Sequence, residues 1–198
     1  MNTSKPVIAA FDFDGTITTK DTLFDFIKFY HGKTKLLLGM IWLSPVLILF
    51  KLGFIRNDRA KQKLFSHFFK GVNINDFNLV CANYSLRIDS ICKAKTLERI
   101  KWHRNQNHQV VIISASVENW IKPWALKSGL GDVLATQIEV EGDILTGRFS
   151  SPNCYGQEKV NRLKETFPNR EDYTLYAYGD SRGDKELLAY ADYPTLYK

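Results

Sequence analysis

Three short, largely apolar segments, each followed at once by small or polar residues, divide the chain. They are Val7 to Phe11, residues 109–113 and residues 173–178. Apolar runs of about five residues are typical of strands buried on both faces of a parallel sheet. Between the first two segments the apolar positions instead recur every three or four residues, which is the period of a helix. The pattern therefore predicts an α/β fold with a helical insert after the first strand.

Residues 20–90 form this predicted insert. Asp21 is expected to cap its first helix, and Gly32 is expected to end it. A second helix should open at Asn57, and a third helical stretch should run from about Asn75 to His103. The predicted inward residues of these helices recur at helical spacing and are Leu23, Phe26, Ile27, Tyr30, Leu64, Phe65, Phe68, Phe69, Phe77, Val80, Cys81, Tyr84 and Ile88.

Residues 36–50, LLLGMIWLSPVLILF, form the most apolar stretch of the chain, and only Ser44 and Pro45 interrupt it. As one helix it would be roughly 22 Å long, shorter than the ~30 Å hydrocarbon core of a bilayer, and Pro45 would kink it. We therefore do not expect a transmembrane span. Two interpretations remain open: a pair of short helices buried in a small cap, or a hydrophobic hairpin that enters a membrane surface between basic flanks.

Charge is distributed unevenly along the chain. The net charge is +6, with 27 Lys and Arg against 21 Asp and Glu, yet residues 28–71 alone hold nine bases and one acid, Asp58. This segment carries +8 and the remainder carries −2. An excess confined to one segment predicts an anionic partner for that segment. The bases form no recognised nucleic-acid motif, so we expect no nucleic acid to bind.

Length and cysteine content limit the class of protein. The 198 residues, 44% of them apolar, are enough for one core and a small appended domain. The three cysteines are widely spaced and show no metal-ligand pattern, so they are expected to be reduced. The N-terminal residues lack the pattern of a signal peptide, which predicts a cytoplasmic protein. The oligomeric state does not follow from the sequence.

Two carboxylates follow the first strand directly, in the sequence DFDGT at residues 12–16. Side chains two apart on an extended chain share a face, so Asp12 and Asp14 point the same way. Ligands of open α/β sheets bind at the carboxyl ends of strands. Two like charges there are costly unless a cation, such as a metal, lies against them. Gly15 permits a sharp turn, and Thr16 offers a hydroxyl to an anion.

The later strand ends and one helix start carry further candidates. Ser114 and Ala115 follow the second strand, where a hydroxyl and successive N–H groups can hold a phosphoryl oxygen. Lys159 lies in the first turn of a helix expected to open near Gln157, where a cation is unfavourable without an anionic neighbour. Asp180 and Asp184 follow the third strand and repeat the arrangement of paired carboxylates.

Four features of the chain, taken in order, resemble the four motifs of the haloacid dehalogenase-like phosphohydrolases. They are DFDGT at residues 12–16, Ser114, Lys159 and GDSRGD at residues 179–184. The resemblance implies a Rossmann-like, doubly wound parallel sheet formed by residues 1–19 and 91–198, and an all-helical cap at residues 20–90. It also implies an Mg²⁺-dependent phosphatase with Asp12 as nucleophile and Asp14 as general acid and base. The residues that would bind phosphate are Thr16, Ser114, Ala115 and Lys159. The residues that would hold the metal are Asp12, Asp14 (through its carbonyl), Asp180 and Asp184.

Two further segments resemble one branch of this family, which includes phosphatidylglycerophosphatases of the C type. They are ASVENWIKPWA at residues 115–125 and NCYGQEKVNRL at residues 153–163. This resemblance and the basic, apolar cap predict a phosphatase for a lipid phosphate, working at the cytoplasmic face of an anionic membrane. The alternatives are a soluble phosphatase of small metabolites and, ranked last, a basic binding protein that does not need Asp12. Residues 135–140 and 145–149 are expected to form a β-hairpin, and a short helix and an edge strand should close the chain.

Overall fold

A five-stranded, wholly parallel sheet forms the centre of the computed structural model, which describes residues 5–197. The strands in chain order are β1 (Val7–Phe11), β2 (Gln109–Val117), β3 (Asp132–Thr136), β4 (Ile138–Glu141), β5 (Ile144–Phe149), β6 (Thr174–Gly179) and β7 (Tyr193–Leu196). The order in the sheet is β3-β2-β1-β6-β7. The predicted α/β fold with a Rossmann-like sheet is confirmed. Residues 1–4 and 198 of the predicted core lie outside the described residues.

Eight α-helices accompany the strands within the described residues. They are α1 (Thr22–Trp42), α2 (Ser44–Lys51), α3 (Asn57–Phe69), α4 (Ile74–Ile88), α5 (Ala94–Asn105), α6 (Glu118–Lys127), α7 (Gln157–Thr166) and α8 (Lys185–Tyr190). Alternation along β1 sends Ala9 and Phe11 into one core, and Ile8 and Ala10 into a second core on the opposite face. Burial on both faces explains why this central strand has no polar residue.

The segment between β1 and β2 is helical, as predicted. Asp21 caps α1 by accepting a hydrogen bond of 2.9 Å from the Leu23 N–H, and Gly32 interrupts the helix with φ 84°. The aromatic rings of Phe65, Phe69 and Phe77 are fully buried in the centre of this segment. The prediction of one helical stretch from Asn75 to His103 is wrong, because a 3₁₀ turn at Asp89–Ile91 separates α4 from α5.

The apolar stretch at residues 36–50 lies in a bent helical pair formed by α1 and α2, which meet at 62°. Gly32 has non-helical φ and ψ, so residues 36–42 belong to the part of α1 that follows this kink. No single helix among the described residues is long and apolar enough to cross a membrane, although this pair has the length and composition of a broken span. Helix α2 contains no buried residue, and Trp42 is 74% exposed. The interpretation of this stretch as buried cap core is therefore wrong for most of its large side chains.

The predicted β-hairpin is partly misplaced. Ala135 and Thr136 belong to β3, where Ala135 pairs with Ser114 of β2, and the hairpin is formed by β4 and β5 alone. The Thr136 hydroxyl donates to the Ala115 carbonyl at 2.9 Å, which holds it in the main sheet. The error arose because apolar alternation continues through the exposed Gln137 without a glycine or proline to mark the break.

The hairpin packs on the helical insert. The Gly71 N–H donates to the Leu145 carbonyl at 2.9 Å, and the Leu145 N–H donates to the Val72 carbonyl at 2.9 Å. The Ile74 N–H donates to the Asp143 carbonyl at 2.8 Å. Gly147 permits the close approach to α3, because a Cβ atom there would lie 2.6 Å from Ser66 Oγ. The insert is therefore bound by backbone hydrogen bonds to a second, later part of the chain.

Candidate active site

Three carboxylates meet where β1 and β6 end. One oxygen from each of Asp12, Asp180 and Asp184 lies within 4.8 Å of the others. The two strands are neighbours in the sheet, and the Asp12 N–H extends their ladder by donating to the Tyr178 carbonyl at 2.9 Å. Parallel strands present their carboxyl ends at one edge, which is why residues so far apart in sequence converge there.

Lys159 brings one positive charge into this cluster. From the first turn of α7 its Nζ lies 2.5 Å from Asp12 Oδ1 and 2.5 Å from Asp184 Oδ1, and all three side chains are buried. Burial lowers the pKa of Lys159, but the adjacent Asp12 and Asp184 raise it by more, so the ammonium stays charged. Burial raises the pKa of Asp12 to about 7, against the attraction of Lys159. One ammonium does not compensate three carboxylates, so a further cation would stabilise the charged cluster.

The cluster fits a magnesium ion. Its donors are all oxygens, which Mg²⁺ prefers. Asp184 is held in place by the N–H groups of Asp180 and Ser181, at 3.1 and 3.0 Å, and by the Ser181 hydroxyl at 2.9 Å. Gly15, at φ +77°, leaves room for Asp180, because a Cβ atom at Gly15 would lie 2.1 Å from Asp180 Oδ2. Burial and the nearby Asp184 raise the pKa of Asp180.

Asp14 lies beside this cluster, with its carboxylate held separately. Asp14 Oδ1 accepts from the Thr22 N–H at 2.8 Å and from the Thr22 hydroxyl at 2.6 Å, and Asp14 Oδ2 accepts from the Ser116 hydroxyl. The indole N–H of Trp120 donates to Thr22 Oγ1 at 3.1 Å and fixes that hydroxyl in turn. Sequence reasoning missed Thr22 and Ser116. The two-residue alternation that pairs Asp12 with Asp14 also places Ser116 on the face of Ser114, and could have identified it.

The predicted phosphate-binding residues surround the cluster in different ways. Ala115 and Lys159 line the cavity above it. The buried Thr16 hydroxyl lies 3.3 Å from Asp12 Oδ2 and 3.4 Å from Asp180 Oδ1, so it contacts the carboxylates. The buried Ser114 hydroxyl accepts from the Ser116 N–H at 3.0 Å. Thr16 and Ser114 thus lie at the site with their hydroxyls engaged by neighbouring protein groups.

A cavity of about 420 Å³ opens above these residues. Its floor is polar and includes Asp12, Asp14, Lys159 and Asp180. The wall contributed by the helical insert is mainly apolar, with two bases and Asp21, and consists of Lys20, Asp21, Leu23, Phe24, Leu47, Phe50, Asn57, Ala60, Lys61 and Leu64. Burial and the charge of Asp14 raise the pKa of Asp21, against the attraction of Lys61. The cavity therefore suits a ligand with an anionic end and an apolar body.

The fold and site together define a Rossmann-like enzyme with a helical cap and a centre rich in carboxylates at the ends of parallel strands. The chain belongs to the haloacid dehalogenase-like hydrolase family, whose model matches residues 9–189. The resemblance noted from the four sequence motifs is confirmed at the level of this family.

The chain is also similar to known proteins in sequence and in structure. The chain is 31% identical over 194 residues to Protein CicA of Caulobacter vibrioides, covering 95% of this chain and 84% of that protein. It is 34% identical over 98 residues to a probable phosphatase of Mycobacterium tuberculosis, covering 48% of this chain and 33% of that one. Its fold is similar to that of a phosphoserine phosphatase solved as a phospho-aspartyl intermediate analogue, with a TM-score of 0.67, 19% identity, and coverage of 98% and 87% of the two chains.

Proposed function

We propose that this protein hydrolyses phosphomonoesters through a phosphoryl group carried on Asp12. The observation that carries the proposal is the pairing of Asp12 with the buried Lys159 at the floor of the cavity, while the Asp14 carboxylate is held apart by Thr22 and Ser116. This arrangement suits Asp12 for attack on phosphorus and suits Asp14, which also lines the cavity, for exchange of a proton. The relation to a probable phosphatase supports the same chemistry.

In the first step an Asp12 oxygen attacks phosphorus, the bond from phosphorus to the leaving oxygen breaks, and Asp14 gives that oxygen a proton. In the second step Asp14 takes a proton from water, the water oxygen attacks phosphorus, and the bond to Asp12 breaks, which releases inorganic phosphate and restores the Asp12 carboxylate and the protonated Asp14. Lys159 balances charge on Asp12 throughout. Mg²⁺ held by Asp12, Asp180 and Asp184 would supply the remaining positive charge that lets two anions approach each other.

The substrate that we propose is a lipid phosphate such as phosphatidylglycerophosphate, met at the cytoplasmic face of the membrane. The apolar wall formed by Phe24, Leu47 and Phe50 suits an acyl chain or glycerol backbone, and Lys20 and Lys61 suit an additional anionic group. No glutamate occurs between Lys20 and Leu97 to bind the amino group of an amino-acid phosphate. The alternative is a soluble phosphomonoester, for which the apolar wall would only exclude water.

Phosphate release in the presence of Mg²⁺ tests both levels of the proposal. The panel holds phosphatidylglycerophosphate and phosphatidic acid in detergent micelles, phosphoserine, and several sugar and nucleotide monophosphates, with Asp12→Asn as the control. Preference for the lipids, lost in Asp12→Asn, is expected. Preference for a soluble ester would overturn the lipid assignment and leave the chemistry, whereas release that survives in Asp12→Asn would overturn the chemistry.

A further inference from the structure

An exposed apolar surface surrounds the bent helical pair. Nine of the twenty exposed large hydrophobic residues in the described part of the chain fall between residues 37 and 54. We call them the apolar patch: Leu37, Leu38, Ile41, Trp42, Ile48, Leu49, Phe50, Leu52 and Phe54. Single exposed apolar residues are ordinary, but nine of them within eighteen consecutive residues indicate an interaction surface.

Exposed bases border the apolar patch. Lys33 and Lys35 precede it, Lys51 lies within it, and Arg56 and Arg59 follow it; all five are exposed. Asp58 is the one acid between residues 28 and 71, and its carboxylate forms a salt bridge of 3.1 Å with Arg56. The other four bases therefore have no acidic partner from the same segment. An apolar face with basic borders is complementary to an anionic lipid surface, whose headgroups are negative and whose interior is apolar.

The dimensions of the bent pair favour binding in the plane of an interface. Residues 33–42 and helix α2 would extend only about 15 Å and 12 Å, so neither arm reaches across a hydrocarbon core of about 30 Å. Helices α1 and α2 meet at 62° and therefore do not share an axis. Gly39 and Leu43 are buried and attach the pair to the protein, with Gly39 lying against Phe68 and Leu43 belonging to the hydrophobic core. The pair can therefore rest on a bilayer while the rest of the molecule stays outside it.

The apolar patch is continuous with the active-site cavity. Phe50 lines the cavity and is also 37% exposed, and Leu47, one turn earlier on α2, lines the cavity too. Helix α2 thus has one side toward the cavity and the other in the patch. A bilayer in contact with the patch would lie next to the mouth of the cavity.

We propose that the apolar patch docks onto an anionic membrane surface and that docking brings the cavity to the plane of the lipid headgroups. The second part rests on the proposed function; the first does not. A lipid monophosphate could then reach Asp12 past Leu47 and Phe50 while the distal parts of its acyl chains stay in the bilayer.

Sedimentation with lipid vesicles tests the docking without reference to catalysis. The vesicles contain phosphatidylcholine alone or with phosphatidylglycerol. The test variant is the triple change Ile41→Ser, Trp42→Ser and Phe54→Ser, none of which lines the cavity. The matched control is Leu79→Ser, Leu86→Ser and Leu126→Ser, which are 59–65% exposed but lie outside the patch. Hydrolysis of p-nitrophenyl phosphate, a water-soluble ester, and circular dichroism check that both variants fold.

The native protein and the control variant should bind anionic vesicles, and the test variant should bind at least about tenfold more weakly. Binding to neutral vesicles should be weaker for all three. Equal binding by the test variant, or no binding by the native protein, would overturn the docking proposal. The docking proposal would also be overturned if the native protein bound no vesicles but formed a concentration-dependent dimer that the test variant does not form. Vesicle binding without hydrolysis of any ester would instead overturn the proposed function and leave the docking intact.

Discussion

The Nζ of Lys159 lies 2.5 Å from Oδ1 of Asp12, and both side chains are buried. The same Nζ contacts Asp184 Oδ1 at 2.5 Å. One ammonium therefore links helix α7 both to the end of β1 and to the turn that follows β6. Removing one member of a buried ion cluster leaves the remaining charges buried without compensation. The loss of stability is then larger than the stabilisation that the intact ion pairs contribute.

Lys159→Met should therefore lower the free energy of unfolding by about 3 kcal/mol as well as abolishing hydrolysis. The measurement is urea unfolding without divalent cations, followed by circular dichroism. Lys164→Met on the same helix is the control, because Lys164 is exposed and its loss should change stability by no more than about 0.5 kcal/mol. Equal stability of the two variants would contradict the structural role given to the buried ammonium.

Magnesium should stabilise the folded protein. Binding to the carboxylate cluster at about a hundred times the Kd contributes about 2.7 kcal/mol, which would raise Tm by roughly 5 to 10 °C. Asp180→Asn should reduce this shift strongly, because it removes one of the three clustered carboxylates. Asp143→Asn, in the exposed turn of the hairpin, should keep it. A full shift in Asp180→Asn would place the ion elsewhere.

Ser116 should position Asp14 for proton transfer. Ser116→Ala removes one donor to the Asp14 carboxylate, and a hydrogen bond to a charged group contributes about 1.5–3 kcal/mol, so kcat should fall at least about tenfold. KM should change little, because the Asp12 cluster is untouched. Ser116→Thr keeps the hydroxyl and should restore most of the rate, and the exposed Ser150→Ala should have no effect. A loss confined to KM would argue against this role.

Gly15 should be sensitive to substitution for two separate reasons. Gly15→Ala adds a methyl group 2.1 Å from Asp180 Oδ2 and also strains a backbone with φ +77°. Gly71→Ala is the control for strain alone, because Gly71 has φ +85° and a Cβ atom there meets nothing within 4 Å. Gly71→Ala should cost about 1 kcal/mol and retain activity. Gly15→Ala should cost about 2 kcal/mol more and lose the stabilisation by Mg²⁺.

His103 should make stability depend on pH. Its ring is buried, Nε2 lies 2.8 Å from the Tyr178 hydroxyl, and Nδ1 lies 2.8 Å from Nδ1 of His108. Burial, together with the nearby charges of His108 and Arg99, lowers the pKa of His103 to about 4. In the unfolded chain the His103 ring takes up a proton near pH 6.5, whereas the folded protein keeps the ring neutral. The contribution of His103 to the free energy of unfolding is therefore complete above pH 6.5 and declines by up to about 3 kcal/mol as pH falls to about 4.

The check is a comparison of His103→Gln with the native protein by urea unfolding at pH 7 and pH 4.5. The variant should lose less stability than the native protein over this range, because glutamine cannot take up a proton. His67→Gln, at an exposed position, should behave like the native protein. Parallel loss in all three would assign the acid sensitivity to other groups.

The cluster of carboxylates was predictable from sequence because its members directly follow predicted strands. A buried parallel strand must be apolar, so the acids after Phe11 and after Gly179 mark the sheet edge where ligands bind. The partners of Asp14 were not predictable in this way. Ser116 and Thr22 are 94 residues apart and meet only after α1 and β2 have packed. The exposure of residues 36–50 was also hidden, because an apolar run does not indicate whether another element covers it.

The hairpin of β4 and β5 bears on how this protein can be recombined with its relatives. It lies within the part of the chain predicted as catalytic core, yet its backbone hydrogen bonds go to Gly71, Val72 and Ile74 at the junction of α3 and α4. A chimera that exchanges only residues 20–90 would keep the native hairpin and would have to reproduce those bonds with a foreign backbone. We expect functional exchange of substrate preference to require residues 138–149 to be transplanted together with the helices.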